Sequence, residues 1–516
     1  MRALLINPPY QTVTSNWGVG HQVPLGLLMV GGALRDAGHE VSLLDAEATG
    51  LTCTQIGQEV RRLAPDVVMT GHAGSTPAHP VCMEMFEAIR DAWPSALRVY
   101  GGVFPTYHDE QVLREHEAVD VVIRGEGEAS AVALLDVLAG GGSVSEVAGV
   151  TCRRADGITR TPDRAVIADL DAYRTGWELI DDWDRYQCFG RGRAAIVQLS
   201  RGCPHRCTYC GQHAFWKRWR HRDPVALADE IEWLHRKHNV RFVTLADENP
   251  TTLRDVWLAF LDEMARRDVD VEFFATIRAT DIVRDADAID RYRRAGLRYV
   301  LMGIDTTDPT VIQQIRKRSS TQDDFTACSL LRENGIHPII GHIVGLGDET
   351  WAGLRRAGKA LALYDGDYLN AMYAMPHSWT RFAQEQAGRA WVQPDQRLWD
   401  YRHQVLEERH LRPWQLFAAV KWLELRFHLR PRRLRRLLLA RDPARRREAW
   451  WTAWHTGLVW LTEIVEFVRR GPTAPRTTAP ASRDVPPIPR PRPSSRAQVH
   501  PRWTDRSGRA RSRPAA

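Results

Sequence analysis

Short apolar runs alternate with amphipathic stretches along most of the chain, and the period switches between two and about 3.6 residues. In the first 140 residues the runs at 3–6, 40–44, 66–70, 97–100 and 119–123 read as strands. The stretches 26–37, 54–63 and 83–92, and the one that follows Gly125-Glu126-Gly127-Glu128, read as helices. Such an order predicts a doubly wound parallel sheet. Its strand-end loops are rich in small residues: Gly71-His72-Ala73-Gly74-Ser75-Thr76, Gly101-Gly102 and Gly125-Glu126-Gly127. A ligand of an open α/β sheet lies at that edge, and these loops suit a bulky, flat one.

A connector over 146–192 carries a small β-like patch and an aromatic-rich approach with Trp177 and Trp183. From 193 the βα rhythm returns, with strands predicted at 194–199, 241–246, 271–277, 299–304, 339–344 and 368–373. The helix at 224–238 starts from Asp223 with Pro at its first position. Six βα units predict a partial parallel barrel, whose chemistry belongs at the carboxyl ends of its strands. After 382 the pattern is helical, with helices expected at 415–429 and 432–439 and a third bearing Trp450, Trp451, Trp454 and Trp460. The predicted domains are therefore 1–145, 146–192, 193–382, 383–470 and a Pro/Arg-rich tail, 471–516, whose composition predicts disorder.

Composition changes this picture little. Hydrophobic residues make up 44% of the 516, ordinary for a soluble protein. The net charge of +7 is misleading, because residues 471–516 carry ten Arg and two Asp while the other 470 carry 60 basic and 61 acidic residues. The basic excess therefore gives no reason to expect nucleic acid on the folded part. No apolar run is long enough for a membrane span. The first residues read as a buried strand rather than a signal peptide, which predicts a cytoplasmic protein with reduced thiols.

Three of the eight cysteines, Cys203, Cys207 and Cys210, form a C-x3-C-x2-C loop directly after the first barrel strand. Three thiolates there can hold three irons of a [4Fe-4S] cluster and leave the fourth open. A zinc site wants four ligands, usually as two C-x2-C pairs. No second pair follows, although His205 or His213 could complete a set. Asp247-Glu248, Arg278, Asp305 and Gly345 all fall at the same carboxyl edge. The other five cysteines read as small buried hydrophobes.

On these motifs and this domain order the chain resembles the cobalamin-binding radical SAM enzymes. The resemblance implies a [4Fe-4S] cluster on the three cysteines, S-adenosylmethionine on the open iron, and a 5′-deoxyadenosyl radical that abstracts hydrogen. It implies Asp247 and Glu248 for the ammonium, Arg278 for the carboxylate or ribose, and Tyr209 near the adenine. Gly341 to Gly345 would let adenine approach the backbone, and Asp305 stands where relatives often have Glu. Cobalamin would lie over Gly71, Ser75, Gly101, Gly102, Gly125 and Glu126. The histidine motif D-x-H-x-x-G is absent, since residue 70 is Thr and residue 75 is Ser, so the implied mode lacks that ligand. The segments 212–224 and 245–251 resemble one branch, the anaerobic magnesium-protoporphyrin IX monomethyl ester oxidative cyclases. That branch implies closure of the isocyclic ring of a porphyrin-type substrate in bacteriochlorophyll synthesis, with a reducing donor such as flavodoxin or ferredoxin. Phe215, Trp216 and Trp219 could form a wall for the macrocycle and Arg218, Arg220 and Arg222 meet its propionate, or all six could be core and solvated surface. The basic helix with its tryptophans could touch a membrane surface or cap the barrel. The alternatives are a cobalamin-dependent methyltransferase acting on an unactivated carbon and a non-catalytic cluster or zinc protein.

Overall fold

The computed structural model describes residues 1–11, 15, 20–72, 75–267, 269–438 and 443–470. The tail from 471, and Ala73 and Gly74 of the first glycine-rich loop, lie outside the described residues. The fold is mixed α/β with two largely parallel sheets, as the periodicity predicts.

The first sheet holds β1 (Arg2–Asn7), β2 (Glu40–Asp45), β3 (Val67–Gly71), β4 (Leu97–Gly101), β5 (Val121–Ile123), β6 (Val150–Arg154) and β7 (Gly157–Arg160), in the order β2-β1-β3-β4-β5-β6-β7. β1 to β5 run parallel, and β6 and β7 add an antiparallel hairpin. The β-like patch expected in the connector is thus the edge of this sheet, which runs past the expected limit of 145. Thr151 fixes it there: its side chain is fully buried and donates to Asp109 at 2.5 Å. The strand order reverses between β1 and β3, the place where such sheets take a cofactor.

The second sheet holds β8 (Ala194–Val197), β11 (Phe242–Leu245), β12 (Glu272–Thr276), β13 (Leu297–Asp305), β14 (His337–Val344) and β15 (Tyr368–Tyr373), all parallel. Chain order and spatial order coincide, which is the six-stranded open barrel. The expected first strand, 194–199, is split. β8 stops at Val197, and β9 (Ser200–Arg201) turns off to pair antiparallel with β10 (Arg220–His221).

The connector cements the two sheets. Trp177, Leu179, Trp183 and Tyr186 are buried in a core that also contains Leu5 and Val67 of the first sheet and Val197 and Phe273 of the second. Tyr186 donates to Asp45 at 2.8 Å. The helix Leu25–Asp36 lets the connector cross through glycine, since a Cβ on Gly32 would lie 2.2 Å from the Arg174 carbonyl oxygen.

Candidate active site

The β9–β10 pair closes the cysteine loop at its base. Gly202 opens it at φ +93°, where a Cβ would sit 2.6 Å from the Arg218 carbonyl oxygen, so only glycine fits. Backbone N–H groups then face the sulfurs: His205 donates toward Cys203, and Gln212 and His213 toward Cys210. Arg278 donates toward Cys207, and Lys317 adds a second positive charge beside it. Burial raises all three thiols, Cys210 to about 11, and Cys203 and Cys207 further oppose the ionisation of Cys210. Metal binding is what turns such thiols into thiolates. Among the described residues no three His, Cys, Asp or Glu side chains converge on a single metal ion. A cluster, which gives each thiolate its own iron, needs no such convergence, and the donors aimed at the sulfurs suit it.

The carboxylates after β11 turn back toward this loop. Asp247 is buried and accepts from the Leu199 amide (3.0 Å) and from the Ser200 amide and hydroxyl (both 2.5 Å). Burial raises its pKa to about 7. Glu248 accepts from the Gly202 amide at 3.1 Å and from the Trp216 indole at 2.6 Å, and burial raises it too. Both pin the start of the cysteine loop to β11.

Asp305 ends β13 in the left-handed region, at φ 61°. Tyr209 donates to it at 2.5 Å, and the buried Lys317 ammonium bonds both Asp305 and the Gly303 carbonyl. Arg316 and Arg318, on either side of Lys317, are also left-handed, at φ 57° and 55°. Arg278 donates to the Lys317 carbonyl at 2.6 Å, and its buried Nε has no hydrogen-bond partner among the described residues. Non-glycine residues rarely adopt this conformation, and three together mark a loop held in shape by its surroundings. Gly341 lies mid-β14, where a Cβ would make only ordinary contacts, whereas Gly345 has φ +96° and donates to Glu349 at 3.0 Å.

At the first sheet's edge a Cβ on Gly71 would lie 2.9 Å from the Gly101 carbonyl, while Gly101 and the left-handed Gly102 have no heavy atom nearer than 3.8 Å to such a group. Gly125 is left-handed with open space beside it, and its amide donates to Thr106 at 2.9 Å. Ser75 sits at φ 56° with a buried hydroxyl that no described group satisfies. The edge is thus bare backbone with an unpaired donor, which fits a large flat cofactor. His72 is held by Glu47 (3.6 Å) and packs edge-on to Tyr10.

Glu126 corrects the expectation of a cofactor ligand. Its oxygens accept from Arg201 (2.8 Å), Arg220 (2.8 Å) and the Ile167 amide (2.8 Å), and Arg201 also reaches Glu128 at 2.5 Å. These buried ion pairs lock the loop after β5 onto β9 and β10. They also remove Arg220 from any propionate role, and Arg222 is likewise taken up by Asp171 and Glu230. Trp216 and Trp219 donate their indole N–H groups to Glu248 and to the Asn249 carbonyl and remain half-buried, while Phe215 is buried.

A different aromatic group stands between the two edges. After β15 comes Ala374-Met375-Pro376-His377-Ser378-Trp379-Thr380. Trp379 stacks on Tyr107 (5.0 Å, 3°) and on His377 (4.9 Å, 20°) and donates to the Gly211 carbonyl at 3.3 Å. His377 is buried, with Nδ1 3.1 Å from the Thr76 hydroxyl and Nε2 2.8 Å from the Tyr401 hydroxyl. Burial lowers its pKa to about 4, so it is neutral near pH 7. Tyr107 and Tyr401 both lie close enough to Cys210 to feel its charge. The rule applied to the other barrel strands, that chemistry follows the carboxyl end, would have found this segment after the sixth.

Comparison with known proteins accords with both edges. Residues 197–360 match the Radical SAM superfamily and residues 19–135 the B12 binding domain. The anaerobic magnesium-protoporphyrin IX monomethyl ester cyclase of Synechocystis sp. is 40% identical over 479 residues, 92% of this chain and 96% of that one. The chain belongs to the anaerobic magnesium-protoporphyrin IX monomethyl ester cyclase family. The cyclase of Rubrivivax gelatinosus is 32% identical over 72% of this chain and 68% of its own. The fold is shared with the radical S-adenosylmethionine methyltransferase TsrM from Kitasatospora setae, at TM-score 0.64 and 19% identity over 75% of this chain and 76% of that one. The protein is a radical SAM enzyme whose cofactors are a [4Fe-4S] cluster, S-adenosylmethionine and cobalamin. Among the described residues no helix is long and apolar enough to cross a membrane.

Proposed function

We propose that the protein closes the isocyclic ring of magnesium-protoporphyrin IX monomethyl ester, converting a propionate ester side chain to a ketone-bearing ring with oxygen from water. The observation that carries this is 40% identity to a cyclase along 92% of the chain, through both cofactor domains and the helical region beyond. Ring closure is an oxidation of the substrate, and its oxidant would be S-adenosylmethionine, cleaved to methionine and deoxyadenosine as hydrogen is taken from the substrate, with the cluster relaying electrons from the carrier and cobalamin offering a cobalt centre; the chain supplies position. Cys203, Cys207 and Cys210 hold the cluster. Tyr209, Arg278, Asp305, Gly341 and Gly345 would frame S-adenosylmethionine, and the Arg278 Nε, which has no hydrogen-bond partner among the described residues, is a donor its carboxylate could take. Asp247 and Glu248 stand one step back and fix the loop. Gly71, Ser75, Gly101, Gly102 and Gly125 line the cobalamin, and Glu126 clamps its domain to the barrel. Tyr107 and Tyr401 offer stacking faces for a macrocycle beside Cys210, with Trp379 packed against Tyr107 as support, and neutral His377, between the Thr76 and Tyr401 hydroxyls, can relay a proton there.

In this reading the cobalamin domain extends through the β6–β7 hairpin to Arg160, the barrel spans 193–382 and a helical domain 383–470. Electrons come from a small carrier such as flavodoxin or ferredoxin, and the enzyme works in the cytoplasm beside the membrane into which a porphyrin ester partitions. Anaerobic turnover with the porphyrin ester in ¹⁸O-water tests the assignment. The expected result is deoxyadenosine and a ring-closed product labelled at the ketone. S-adenosylhomocysteine with a methylated product would establish methyl transfer instead.

A further inference from the structure

The helix Pro443–Arg470 is built inside out. Between Trp450 and Val468 its only charged residues are Glu463 and Glu466, and both turn inward. Glu463 pairs with Lys421 and, at 2.8 Å, with Arg402, while Glu466 faces His403 at 3.6 Å. The opposite face carries Trp450, Trp454, Leu461, Val465 and Val468, spaced 4, 7, 4 and 3 residues apart and therefore in one stripe. All five are exposed, Trp454 by 67% and Val468 by 74%. A helix packed on a protein in water shows the reverse arrangement.

The neighbouring helix Pro413–His428 has an exposed apolar side of its own. Its Phe417 stacks on Phe467 (3.9 Å, 4°), which fixes the two side by side, and its own exposed side presents Trp414, Trp422 and Leu425, with Leu429 just beyond. The basic residues split into two sets. Arg433 and Arg436 point inward to the Asp367 carbonyl and to Asp365 and Asp367. Arg426, Arg432 and Arg435 remain exposed around the apolar faces. The sequence after Arg470 then adds ten Arg and two Asp over 46 residues.

We infer that this two-helix face is a docking surface for an anionic lipid bilayer, with the helix Pro443–Arg470 lying in the headgroup plane. A tryptophan-bearing apolar stripe and an adjoining polybasic segment are the two signals that together hold a protein at such a surface. Nucleic acid would have no use for the stripe, and a dry protein partner would have none for the surrounding arginines. The inference is independent of which substrate the barrel takes.

Flotation of the full-length, anaerobically reconstituted enzyme tests it, with vesicles of phosphatidylcholine alone and of phosphatidylcholine with phosphatidylglycerol. Co-flotation with the anionic vesicles only, weakened by salt, is expected. Trp454→Ser with Val468→Ser, and separately Leu461→Glu, should each reduce it about tenfold or more while cluster absorbance and melting temperature are kept. Flotation unchanged in both variants overturns the inference. So does a concentration-dependent dimer, seen by sedimentation, that the same variants abolish, because a second copy then covers the face.

Discussion

The two sheets have similar strands and opposite edges. At the barrel mouth the carboxyl ends carry Asp247, Asp305 and Lys317, all buried, with Glu248 and Arg278 beside them, and nearly every charge has a protein partner. At the first sheet's mouth the same positions carry Gly71, Gly101, Gly102 and Gly125, with little besides backbone. In the proposed reading the difference follows from what each edge holds. A small ion-bearing ligand on a cluster needs charges fixed in advance, because charges that reorganise on binding waste their effect. A large flat corrinoid needs room and backbone dipoles, and side chains would only obstruct it. Glu126, the one acidic residue expected to break that pattern, instead joins the two edges.

The sharpest way to break the comparison is to disarm the charged edge. Cys207→Ala should abolish the cluster's visible absorbance shoulder and all turnover while cobalamin stays bound; retained iron with full activity would refute the assignment. Next is Lys317→Met, which leaves Asp305 buried without its cation. Removing one partner of a buried pair costs about 3–5 kcal/mol. Denaturant unfolding should show that loss, and Asp305→Asn added to it should recover part. Because Lys317 sits beside Cys207, the cluster's reduction potential should also become more negative, read by redox titration with electron paramagnetic resonance.

Much of this was legible in the sequence because the barrel edge is local. Each strand end lies next to its own loop, so Cys203, Asp247, Arg278, Asp305 and Gly345 can be placed by counting strands. What those side chains touch was not legible. Asp247 bonds Leu199 and Ser200 across nearly fifty residues, and a spacing rule cannot tell a carboxylate that holds a ligand from one that holds the loop. Lys317 and Trp379 were missed for a related reason. The first reaches the site through a strained loop flanked by left-handed arginines, and the second lies just past the last strand. The inverted polarity of the helix Pro443–Arg470 also needed the neighbouring Lys421, Arg402 and His403 to be in place before inside and outside could be told apart.

The bare edge is tested by filling it. A Cβ at Gly71 already comes within 2.9 Å of the Gly101 carbonyl, so Gly71→Val must push β3 and β4 apart at the ends that frame the cofactor. Overpacking of this kind costs about 1–3 kcal/mol. The expected result is an enzyme with its full complement of iron and little cobalamin, read from the corrinoid absorbance of protein reconstituted with both. Equal loss of iron and cobalamin would mean that the two edges do not work separately.

The smallest effect concerns a carboxyl group the barrel buries without a partner among the described residues. Asp324, in the first turn of the helix Thr321–Glu333, is fully buried, and neither carboxylate oxygen has a hydrogen-bond partner among the described residues. Burial raises its pKa from 3.8 to about 7, against the opposing pull of Lys317. The folded protein therefore keeps the proton up to about pH 7, whereas the unfolded chain releases it near 3.8. Stability must fall as pH rises between those values, with the penalty complete above 7. Asp324→Asn supplies a neutral side chain of the same shape and removes that dependence. Its melting temperature should exceed the parent's by a few degrees at pH 8, and the gap should close as the pH is lowered toward 4. A gap that stays constant with pH would mean that Asp324 titrates alike in the folded and the unfolded chain, its charge paired or hydrated. The charged edge would then hold no unpaired carboxylate.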